Sequence, residues 1–110
     1  MDYPDLIERA ATLVRSLEGE EARAQATRVI EVARELAGRE RTDERLLPAP
    51  GDLALRRELG GLVERLGRRQ SRALPLAALG RAALADLAGD RSAFRATCAE
   101  CDEKLRFWGV

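Results

Sequence analysis

Apolar side chains recur at steps of three and four residues along most of this chain, and that period limits its fold more than any motif does. Leu55, Leu59, Leu62 and Leu66 step 4-3-4, and Phe94, Cys98, Cys101, Leu105 and Trp108 step 4-3-4-3. Such positions share one face of an α-helix but would alternate between the two faces of a strand. Composition agrees. Alanine, leucine and arginine make up about half of the 110 residues, while valine, isoleucine and threonine are scarce. That mixture favours helix over sheet. The expected fold is all-α, a single domain over residues 1–110 built as a compact bundle of four to five antiparallel helices joined by short connections.

Five segments follow from spacing and punctuation. The first runs from Pro4 to Leu17 with Leu6, Ile7, Ala10, Leu13, Val14 and Leu17 on its face, and Gly19 follows as a stop. The second starts at Glu20 and Glu21, where acids suit a helix N-terminus. It runs to Gly38 or on through the charged stretch Arg39–Arg45, before Leu46 and Leu47 reopen an apolar patch. Pro48-Ala49-Pro50-Gly51 is the strongest break in the chain, giving a loop at about 48–52. Asp52 suits an N-cap for the third segment. Gly60 and Gly61 inside it point to a close approach of another helix or to a kink. Pro75 opens the fourth segment and Gly89-Asp90 ends it. Asp90 or Ser92 caps the fifth. The expected core includes Leu13, Leu17, Val29, Leu36, Leu59, Leu62, Leu66, Leu79, Phe94, Cys98, Leu105 and Trp108.

Nineteen basic residues balance nineteen acids, so net charge gives no argument for nucleic acid or an anionic membrane. No apolar run approaches the ~18 residues that span a bilayer, and residues 1–5 lack a secretory signal's basic and apolar regions. The charge is uneven within the neutral total. The first third is mildly acidic and the middle third mildly basic, so the two can attract each other within one chain or between two. The two cysteines and the absence of a signal point to a reducing cytoplasm.

Cys98-Ala99-Glu100-Cys101 is a Cys-x-x-Cys motif, the spacing of a zinc half-site or a redox pair. Zinc wants four ligands, and the chain holds no histidine and no third cysteine. Both thiols fall on the apolar seam, where cysteine acts as a small hydrophobe. Core packing is the preferred reading, and no cofactor is expected.

Arg65, Arg68, Arg69 and Arg72 form a basic cluster with no acid between them. On a continuing helix they share a face that suits phosphates, nucleic acid or an acidic surface. The plainer reading is a solvated helix end, where arginines also favour the C-terminal dipole. No aromatic interleaves the cluster and no docking motif accompanies it, so nucleic acid is the second choice of partner.

Glu18-x-x-Glu21 and Glu40-x-x-Asp43 resemble the paired acidic motifs of all-helical nucleoside triphosphate pyrophosphatases that bind magnesium. On one helix Glu21 and Glu40 stand roughly 28 Å apart, too far to share a metal. Without histidine the commonest general base is missing. Lys104, the only lysine, has Asp102, Glu103 and Arg106 around it, which does not suit a Schiff base. No catalytic residue is assigned.

Phe107 and Trp108 hold half of the chain's four aromatics. Trp108 continues the seam and Phe107 lies off it. An exposed aromatic pair here would dock a partner chain. The preferred alternative has Phe107 and Tyr3 covering the two chain ends at one pole.

The run Arg28-Val29-Ile30-Glu31-Val32-Ala33-Arg34-Glu35-Leu36, with Phe94-Arg95-Ala96-Thr97 and Glu103-Lys104-Leu105, resembles an uncharacterised family of small helical bacterial proteins. Their genes tend to sit near those of acyl-CoA dehydrogenases and kinase-like phosphotransferases. The resemblance implies an accessory role beside acyl-CoA metabolism and carries over no site residues. The functional expectation is a non-catalytic helical interaction module, self-associating as a homodimer or binding another protein. Binding of nucleic acid or phosphate through the arginines is the alternative, followed by a metal or redox site at Cys98 and Cys101.

Overall fold

The computed structural model describes residues 2–38 and 51–110. Among these it contains five α-helices and no strand. They are α1 (Tyr3–Val14), α2 (Glu20–Gly38), α3 (Asp52–Gly67), α4 (Leu74–Ala88) and α5 (Arg91–Phe107), with a 3₁₀ turn at Ser71–Ala73 leading into α4. The continuation through Arg39–Arg45, the apolar pair Leu46 and Leu47, the break at residues 48–50, and Glu40 with Asp43 lie outside the described residues.

Helix ends follow local chemistry. Pro4 sits in the first turn of α1, where its missing N–H costs nothing. This helix stops at Val14, short of the expected Leu17, whose N–H closes a turn on the Val14 carbonyl at 3.1 Å. Leu17 is nevertheless buried. The third helix begins differently from expectation too. Gly51, in the left-handed region at φ +91°, occupies the cap, and Asp52 is the first helical residue. At the α4–α5 corner, Gly89 (φ +72°) ends one helix, and the Asp90 side chain accepts from the Ala93 N–H at 3.0 Å to cap the next.

Side-chain pairs fix the directions. Arg34 meets Glu8, Arg69 meets Glu21, Arg56 donates to the Leu87 carbonyl, and Arg81 meets Glu100. Consecutive helices therefore run antiparallel. Up-and-down alternation makes α1 and α5 parallel, with Tyr3 stacked edge-on against Phe94 near their starts and Arg9 paired to Asp102 further along. No described helix is long and apolar enough to cross a membrane.

The centre belongs to α4, which touches all four other helices. It is not amphipathic: Pro75 to Gly80 are all buried, as are Ala82, Ala83 and Ala85. A helix whose apolar surface is broken only by Arg81 and Asp86 finds its place inside. Its small side chains let neighbours come close, most of all at Gly80, where an added Cβ would lie 2.6 Å from Val63 Cγ2. Gly60 and Gly61 make no such contact, so the close approach expected there occurs on the facing helix instead. The expected core residues are buried except Phe94 and Trp108, which are half-buried and pack against the core from its edge. Each carries an arginine guanidinium over its ring, Arg91 on Phe94 and Arg72 on Trp108.

Candidate functional site

Three sequence candidates can be followed residue by residue. The cysteines are interior. Cys101 is fully buried and its Sγ donates to the Pro75 carbonyl at 3.3 Å, so it is held as a thiol. Burial pushes its pKa up to about 12, and burial with Asp86 nearby pushes Cys98 up to about 11. A thiol raised that far carries almost no thiolate at neutral pH, and thiolate is the species that attacks and ligates. Among the described residues, no group of three or more metal-ligating side chains includes them.

The arginine cluster does not share a helical face. The third helix ends at Gly67, with Arg65 in its last turn and Arg68 closing it. Arg68 pairs with Glu64 at 2.6 Å. Arg69 turns to α2, meeting Glu21 at 3.2 Å and donating to the side-chain amide oxygen of Gln25 at 3.1 Å. Arg72 lies in the 3₁₀ turn, its guanidinium 5.1 Å from the Trp108 ring centre. The chain breaks helix here because Gly67 is followed by a link in which Gln70 pairs its side-chain amide with both the N–H and the carbonyl of Glu18. Glu21 is thus held by Arg69, while Glu18 is engaged through its backbone alone. The attraction between the acidic first third and the basic middle third is spent in part within one chain, at Glu21–Arg69.

Phe107 and Trp108 stand at an exposed end of α5. Two residues beyond the buried Leu105, Phe107 stands about 200° round the helix and faces away from the core. It is 79% exposed. A closing motif fixes it. The Gly109 N–H bonds the Arg106 carbonyl and the Val110 N–H bonds the Leu105 carbonyl, each at 3.0 Å, with Gly109 at φ +76°. Arg9 reaches across from α1 to donate to the Val110 carbonyl at 2.9 Å and to Asp102 at 2.6 Å. That hydrogen bond, with Arg106 beside it, holds the Asp102 carboxyl below its ordinary range. The two rings meet edge to face, 5.1 Å apart.

Beside them opens a hollow of about 420 Å³ lined by Ser71, Leu74, Glu103, Lys104, Phe107 and Trp108. Trp108 and Ser71 also wall a second hollow of about 350 Å³, with Arg72, Gln70, Glu18 and Ser16. Leu74 is 38% exposed. Tyr3 is not part of this pole: it stacks on Phe94, at the opposite end of α5. The shared cover of Tyr3 and Phe107 expected from sequence therefore does not form. Sequence reasoning missed Leu74 and Arg9, whose roles depend on partners distant in the chain. No protein-family model, curated protein or solved structure matches this chain.

Proposed function

We propose that this protein is a non-catalytic helical interaction module and that its docking end is the surface of Leu74, Phe107 and Trp108. The observation that carries this reading is the exposure of Phe107, a large aromatic held in solvent by a closed helix end. Leaving such a ring exposed forgoes burial of a large apolar area, and aromatic and arginine side chains are the usual anchors of protein interfaces. Trp108 with Arg72 stacked on it supplies both types next to Phe107. The buried thiols suit a reducing compartment, the cytoplasm in this reading.

The test is affinity capture from the source cells with the wild-type chain and with Phe107→Ser, each checked for helicity. The reading expects wild-type capture of defined protein, this chain's own copies included, that the variant loses. Equal capture by both chains would remove the aromatic end as the docking surface.

A further inference from the structure

We infer that the occupant of this surface is a second copy of the chain, related by a two-fold axis at Phe107. The inference rests on the docking reading and names its partner. Shape is the first argument. The patch carries a knob and a hole side by side: the exposed Phe107 ring, and the hollow of about 420 Å³ between it, Leu74 and Trp108. A two-fold contact needs a patch that complements itself, with each residue meeting its counterpart reciprocally. Here the Phe107 ring of each copy enters the other's hollow.

Charge is the second argument. A strongly basic rim would call for an acidic partner, but this rim carries both signs. Glu103 and Glu18 stand against Lys104 and Arg72 around the two hollows. Lys104 is already engaged with Glu100, 3.5 Å away. Glu103 and Arg72 are exposed and enter none of the ion pairs among the described residues. Glu103 lies one helical turn before Phe107. With the two α5 helices antiparallel across an axis at Phe107, Glu103 of one copy lies toward the end of the other that carries Trp108 with Arg72 over it. Each copy offers one acid and one base, and the axis pairs both.

A contact built on a few anchors is smaller than the ~800 Å² per partner of a standard interface, so the dimer is concentration-dependent. Sedimentation velocity and native mass spectrometry on the full chain, between about 10 μM and 1 mM, read it directly. The wild type is expected to pass from monomer to dimer. Phe107→Ala is expected to stay monomeric with unchanged helicity. Glu103→Arg, which sets two bases together, should weaken dimerisation about tenfold or more, and adding Arg72→Glu should recover most of that loss. A wild type that stays monomeric throughout overturns the inference, and so does a dimer indifferent to Phe107→Ala. A charge swap no tighter than the single reversal overturns the Glu103–Arg72 pairing. A monomer that still captures another protein through Phe107 would defeat this inference and leave the docking reading standing. Loss of both would defeat the two together.

Discussion

The fourth and fifth helices pack against each other, yet they treat their apolar residues in opposite ways. The fourth spends most of its length inside the bundle and lies against every other helix. The fifth buries only Cys98, Cys101 and Leu105, and it ends on an exposed phenyl ring. One helix holds the fold together. The other uses a single turn of it, fixed by Gly109 and Arg9, to present a surface. The contrast teaches that stability and docking fall to different positions: the core takes the middle of both helices, while Leu74, Phe107 and Trp108 present the surface at one end. Substitutions at interior positions of the two helices should therefore differ from those at the exposed end.

The largest effect is expected at the centre. Leu79→Ala removes a fully buried side chain from α4, and urea unfolding should show a loss of about 2–5 kcal/mol. A loss under 1 kcal/mol would contradict a core organised around that helix. Next comes alkaline pH, which tests the interior half of α5. Both thiols sit above their ordinary value of 9, at about 11 and about 12. A raised thiol pKa means that the fold favours the protonated form. This stabilisation is complete below pH 9 and is lost as pH rises through 11 to 12. The urea midpoint of the wild type should fall over that window more steeply than that of Cys101→Ala, and thiol reagents should react only as the chain unfolds.

The glycines sharpen the same comparison. Gly80→Ala should destabilise by about 1–3 kcal/mol, since Val63 is stiff at χ1 and its methyl blocks the new Cβ. Gly60→Ala and Gly61→Ala meet open space and should each stabilise by roughly 0.5–1 kcal/mol, read as a rise in melting temperature. A gain at Gly80 and a loss at Gly60 would reverse the assignment of the tight contact. The smallest effect is expected at the docking end. Phe107→Ala should change stability by no more than about 0.5 kcal/mol, whatever it does to association.

Much of the fold was legible from spacing because helical periodicity is local. Leu55, Leu59, Leu62 and Leu66 announce a buried stripe without knowledge of what covers it. The burial of both cysteines was legible for the same reason, from their register with Leu105. The arginine cluster was not. Helix continuation past Gly67 would have aligned Arg65, Arg68, Arg69 and Arg72, but contacts from α2 and the Glu18 turn draw the link elsewhere. Neither contact has a signature in the sequence around the cluster. Phe107 was legible as lying off the seam, while the hollow beside it was not, because Ser71 and Leu74 arrive from a different part of the chain.

The sequence by itself determined the helices, most of their ends and which faces turn inward, since propensity, capping and a 3.6-residue period act over a few neighbouring residues. Only the tertiary structure decided which helix became the centre, which glycine received a neighbour and which aromatic stayed in water. Those outcomes depend on contacts between residues far apart in the chain, where the competition is between whole packing arrangements and not between local conformations.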